Sequence, residues 1–138
     1  MHVASVDHIH VYGLDPLASV AFWQRHFGGE SVFQTKNVHD QDVHLVRVGA
    51  QVLAFSEFPP GRAPGPPAAD AAAALEGMSA AGVMHLGVRV RDVAAAAAEL
   101  RRAGVPVYGE PRAAHGVTFV YVQAPDGVLV ELTEYEAA

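Results

Sequence analysis

A short phrase occurs twice in this sequence, and it constrains the fold more than any other feature. Asp7-His8-Ile9-His10-Val11-Tyr12-Gly13-Leu14-Asp15 returns as Met84-His85-Leu86-Gly87-Val88-Arg89-Val90-Arg91-Asp92. In each copy a histidine precedes an aspartate by seven positions inside an apolar alternating run, and a helix-like segment ending in glycine, Gly28 or Gly104, follows. Self-similarity at a fixed offset implies a duplicated supersecondary unit.

In the first copy, Val3 to Val11 alternates as a strand, with His8, His10 and Tyr12 on one face and Ile9 and Val11 on the other. Asp15-Pro16 then starts a helix: the carboxylate accepts an orphan N–H, and proline at the first helical position has none to leave unpaired. The helix is expected to reach Phe27, with Leu17, Val20, Ala21 and Phe27 as its buried stripe and Gly28-Gly29 as its left-handed exit. Strands are expected at Ser31 to Thr35, Val43 to Val48 and Val52 to Phe58. The second copy reads the same way: a strand through Val83 to Val90, an Asp92-capped helix over Val93 to Ala103, then strands at Val105 to Tyr108, Val117 to Gln123 and Val128 to Tyr135. Ala124-Pro125-Asp126-Gly127 turns the last pair. The sequence therefore predicts an α+β chain of two tandem βαβββ modules, residues 3–58 and 83–136, within one domain of residues 1–138. Residues 59–82 join them, as a proline-rich semi-rigid spacer followed by an alanine-rich tract with the makings of a short helix.

Composition narrows the chemistry. At 138 residues and 51% hydrophobic content the chain can bury a sizeable core without staples. It has no cysteine, so a metal here must be held by nitrogen and oxygen. A net charge of −6 with scattered Lys and Arg argues against nucleic acid as a partner. Met1-His2-Val3-Ala4 opens directly into the first strand pattern, and the longest apolar stretches are broken by Gly, Glu or Asp. The expectation is accordingly a cytoplasmic protein without a leader or a membrane span.

If the two units are related by an approximate two-fold axis, His8 and His85 are symmetry mates and would face one another across a shared cleft. Glu131 lies within the apolar run Val128-Leu129-Val130-Glu131-Leu132, where a buried carboxylate is costly unless paired or coordinated. Two histidines and one carboxylate on rigid strands make a facial set that binds a divalent metal and leaves positions open for substrate. Other histidines, His10, His44 and His115 among them, carry no such repeat, and a single strand histidine is ordinarily packed or solvated.

The His-x6-Asp-capped helix, its second copy and the Ala-Pro-Asp-Gly-x3-Glu ending resemble the vicinal oxygen chelate superfamily. That group includes glyoxalase I, methylmalonyl-CoA epimerase, fosfomycin-resistance thiol transferases, bleomycin-resistance proteins and extradiol dioxygenases. The resemblance implies paired βαβββ modules in a cupped mixed sheet with helices outside, one divalent metal held by His8, His85 and Glu131, a small-molecule substrate, and a homodimer. Glyoxalase- and epimerase-type members place a further carboxylate from the first unit's last strand at the metal. Matching Gly49 to Gly127 puts Leu53 there, or Ala54 with one inserted residue, and Glu57 only after a slip of three or more.

A three-ligand site fits an Fe(II) dioxygenase or a Mn(II)-type transferase, with Zn, Ni or Co as other occupants. The run Val120 to Glu131, preceded by His115, is similar to the extradiol dioxygenase signature, and the favoured reading is a ring-cleaving Fe(II) dioxygenase. Tyr121 and Glu131 are equidistant from Asp126, so an odd-length turn sets them opposite each other. Tyr121 would then hydrogen-bond an oxygen ligand, with His10, and after it His44 and His115, as candidate bases. The alternatives are an isomerase or lyase, an antibiotic-modifying transferase, and a metal-free drug-binding protein.

Overall fold

The computed structural model describes residues 1–62 and 85–136. The chain divides into two compact units, Met1–Pro66 and Pro67–Ala138. The alanine-rich tract and most of the expected spacer lie outside the described residues, as does the start of the expected strand at Val83.

In the first unit the order is β1 (Ile9–Gly13), α1 (Pro16–Phe27), β2 (Glu30–Lys36), β3 (Asp42–Val48) and β4 (Gln51–Glu57). In the second it is β5 (Leu86–Arg89), α2 (Val93–Arg102), β6 (Val107–Ala114), β7 (Val117–Gln123) and β8 (Leu129–Tyr135), with a 3-10 turn at Pro125–Gly127. The sheets have one topology, β1-β4-β3-β2 and β5-β8-β7-β6. In each, the first strand runs parallel to the last and the other pairs are antiparallel. The α+β fold of two tandem βαβββ modules expected from the repeat is what the chain adopts.

Each sheet buries one face beneath its helix. In the first unit Val46, Leu53 and Phe55 are buried with Trp23 of α1; in the second Val120, Val122, Val130 and Leu132 are buried with Val93, Ala97 and Leu100 of α2. Each of the larger side chains contributes roughly 1.5–3 kcal/mol on leaving water. Asp15 and Asp92 cap the helices as expected, accepting from the amides of Ala18 and Ala95 at 3.0 and 2.8 Å. The N–H of Val93 also donates to Glu134 of β8 at 2.8 Å, tying the start of α2 to its sheet.

Two expectations shift. α1 buries Ser19 and Trp23, while Leu17 is 62% exposed and Ala21 lies outside. An indole removes more apolar surface from water than a leucine does, so Trp23 sets the rotation of the helix. β1 begins only at Ile9, and Val3 and Val6 stay exposed because no sheet face lies beneath them. Behind α1, Gly28 (φ 63°) makes the left-handed turn and Gly29 lets the chain pass the sheet closely. A Cβ on Gly29 would lie 2.7 Å from Cγ1 of Val46 and 3.0 Å from the carbonyl oxygen of Trp23.

Candidate functional site

The candidate side chains stand on the sheet faces that carry no helix. Residues directly opposite in neighbouring strands share a face. In the second unit Glu131 lies opposite Tyr121 on β7 and beside Gly87 on β5, and Tyr121 lies opposite Tyr108 on β6. The five-residue connection between Gln123 and Leu129 is odd in length, as the pairing of Tyr121 with Glu131 requires.

His85, just before β5, reaches this face. Its Nε2 lies 2.8 Å from Oε2 of Glu131, with the two side chains 25% and 19% exposed. The Tyr121 ring stands edge-on to the imidazole, 5.4 Å between centroids. Burial pushes the Tyr121 phenol above its ordinary pKa, the charge of Glu131 adds to this, and Arg112 partly opposes it. Nδ1 of His85 is buried with no hydrogen-bond partner among the described residues. Such an orphan costs about 1–3 kcal/mol and is rare where packing alone is served.

In the first unit His8 pairs with Asp7, Nδ1 to Oδ2 at 2.7 Å, and keeps 42% of its side chain exposed. His10 follows on the same face, its ring 6.2 Å from that of His8 and 5.0 Å from that of Tyr12. The Ser56 hydroxyl donates to the Glu57 carbonyl at 3.2 Å, so it accepts from Nε2–H of His10 at 2.8 Å. This leaves the lone pair of His10 on Nδ1. Burial and then the neighbouring His8 lower the His10 pKa, favouring the neutral ring.

The two units can be superposed by register. β1 pairs Ile9 with Leu53 and His10 with Ala54, as β5 pairs Leu86 with Val130 and Gly87 with Glu131. Ala54, not Leu53, is therefore the counterpart of Glu131, and it is buried and without donor atoms. Glu57 pairs with Gly13, three residues away and on the opposite face.

The structure thus brings His85, Glu131 and Tyr121 together in one unit, and His8 and His10 in the other. Within neither unit, among the described residues, do three His, Asp or Glu side chains gather as a metal cluster. His115 occupies the β6–β7 turn at φ 53°, four residues of strand, about 13 Å, beyond Tyr121. His44 borders a cleft of ≈ 610 Å³ in the first unit, with Asp15, Lys36 and Glu57, on the side away from His8 and His10. Sequence reasoning passed over Ser56, whose place beside His10 depends on the parallel register of β1 on β4, and Glu134.

The sequence model of the glyoxalase/bleomycin resistance protein/dioxygenase superfamily matches residues 5–132. The chain belongs to that superfamily. No curated protein matches it, but solved structures share the superfamily fold. A glyoxalase family protein from Enterococcus faecalis is 20% identical at TM-score 0.75, covering 97% of this chain and 100% of its own. TnmS3, an antibiotic binding protein from Streptomyces sp. CB03234, is 22% identical at TM-score 0.72, covering 99% of both. The fosfomycin resistance protein FosX from Listeria monocytogenes, complexed with Mn(II) and sulfate, is 15% identical at TM-score 0.66, covering 96% and 93%. At these identities the superfamily fold is shared. No helix among the described residues of this superfamily member is long and apolar enough to cross a membrane.

Proposed function

We propose that the chain is a divalent-metal-dependent enzyme that engages a small molecule through two vicinal oxygens, with His8, His85 and Glu131 as the metal ligands. The observation that carries this reading is the His85–Glu131 pair on an open sheet face. Its 2.8 Å separation suits a shared cation: two donors at 2.0–2.2 Å from one metal, at right angles, are about 3 Å apart. The donor set of imidazole nitrogen and carboxylate oxygen fits Fe(II) or Mn(II). FosX, which holds Mn(II), shares the fold.

When bound, the metal supplies Lewis acidity toward the substrate oxygens and, as Fe(II), the redox chemistry that ring cleavage requires. The chain's own residues do the rest. Tyr121, kept protonated by burial, donates a hydrogen bond to an oxygen lying over Glu131. His10, its tautomer fixed by Ser56, offers Nδ1 as a proton acceptor. Ala54 supplies no carboxylate, which sets isomerisation through a fourth, metal-bound acid below ring-cleaving dioxygenation.

Protein purified anaerobically without chelator is expected to carry about one divalent metal per chain. His85→Ala and Glu131→Ala should each weaken metal binding at least about a hundredfold with circular dichroism unchanged. Full metal occupancy in both variants would end the proposal. The Fe(II)-loaded chain should consume oxygen with catechols if the dioxygenase reading holds.

A metal-free small-molecule binder is the second reading, favoured by one observation: both would-be ligand histidines already have acidic partners, Asp7 and Glu131. TnmS3 is an antibiotic binding protein of this fold. Absence of metal from metal-replete preparations would select it.

A further inference from the structure

Arg112 stands on the same open face as the His85–Glu131 pair, and nothing in the proposed metal chemistry uses it. Between Tyr108 and Arg112 the β6 register shifts, with Gly109 at φ 73° inside the irregularity. Past this bulge Arg112 lies opposite Phe119, and so shares a face with Tyr121, two residues along β7, and with Glu131 beyond it. Its charge opposes the rise in the Tyr121 pKa, in keeping with a shared face.

The guanidinium has no ion pair among the described residues. Glu110 is taken by Arg101 at 3.1 Å, and Glu131 by His85. In a chain of net charge −6, an arginine with no acidic partner among the described residues, beside a candidate site, can take one brought by a ligand. Arg89, on the same face, is engaged over the Tyr135 ring at 4.8 Å. The surface between Arg112 and Glu131 is aromatic: the Phe119 and Tyr121 rings are 6.1 Å apart in an edge-on arrangement.

We propose that Arg112 is a specificity-determining residue that binds a carboxylate on the far end of a small planar substrate whose vicinal oxygens lie at Glu131. This rests on the metal-dependent reading above. Two strand spacings and two residues of rise separate the Cα atoms of Arg112 and Glu131 by about 12 Å, a span that an extended arginine and one substituted ring fill together. The planar fork of the guanidinium matches a carboxylate bidentately.

The test compares catechol with 3,4-dihydroxybenzoate, by calorimetry on the full chain loaded with redox-silent Mn(II). The wild type should bind the carboxylate compound about tenfold more tightly. Arg112→Gln should lose that preference while keeping catechol affinity, and Arg112→Lys should keep part of it. Arg112 is exposed, so both variants are expected to fold, with circular dichroism as the check. Equal binding of the two compounds by wild type, or a preference that survives in Arg112→Gln, overturns the assignment and leaves the metal site standing. Failure of the wild type to take up any metal overturns the reading beneath it, and the assignment with it.

Discussion

A phenol drawn out of water and set directly opposite a carboxylate resists ionisation, and Tyr121 is in that position. Its pKa is raised in the folded chain, first by burial and then by Glu131, so the stability it contributes is fully present below the ordinary value of 10.0. That stability is lost as pH rises through and beyond this value. In ultraviolet difference titration of the metal-free protein, the step that belongs to Tyr121 should therefore fall above the ordinary tyrosine value. The difference between wild type and Tyr121→Phe isolates that step; a Tyr121 step at or below the ordinary value would contradict it. The facing of Tyr121 and Glu131 was legible in their equal distance from Asp126, because hairpin pairing is a matter of counting. Ser56 and Arg112 were not legible: one acquires its role from the parallel register of β1 on β4, the other from a bulge that shifts the count.

At the level of elements, local chemistry decided the boundaries and tertiary packing decided the orientations. Asp15-Pro16 and Asp92 marked the helix starts because capping is a short-range hydrogen bond that sequence spells directly. The face that α1 buries followed the largest apolar side chain, Trp23, and not the aliphatic stripe. β6 extends to Ala114 through Pro111, which an edge strand tolerates since a missing N–H there breaks no ladder. The connection from α1 to β2 is the tightest joint. Gly29→Ala would drive a methyl group into Val46 and the fixed carbonyl of Trp23, with backbone on one side unable to yield. It should destabilise the chain by about 1–3 kcal/mol, read as a lower urea midpoint at unchanged slope. Ala at Gly49, where the added Cβ meets nothing, should cost only the left-handed strain of about 1 kcal/mol. Equal midpoints for the two variants would show that the close approach carries no weight.

At the scale of the molecule, duplication explains why the architecture was readable from one sequence: each unit repeats the strand order of the other and the register of its first strand on its last, so two weak patterns at one offset reinforce each other. The same duplication has diverged where chemistry is expected. His10 beside Ala54 in one unit corresponds to Gly87 beside Glu131 in the other, so each unit keeps one candidate side chain and one small residue at that point. The proposed ligands are accordingly drawn from both units, His8 from the first and His85 with Glu131 from the second. A cation held in this way binds only the folded chain, so it should stabilise the protein by mass action, by about 2.7 kcal/mol at a hundredfold excess over Kd. Thermal unfolding followed at rising Mn(II) should move upward accordingly, and a chelator should reverse the shift. The decisive variant is His8→Ala, which removes no contact within the second unit. If His8 is a ligand, that variant should lose most of the metal-dependent shift while its metal-free midpoint stays near that of wild type. A metal-dependent shift undiminished in His8→Ala, but absent in Glu131→Ala, would confine the cation to the second unit and remove the first from the site.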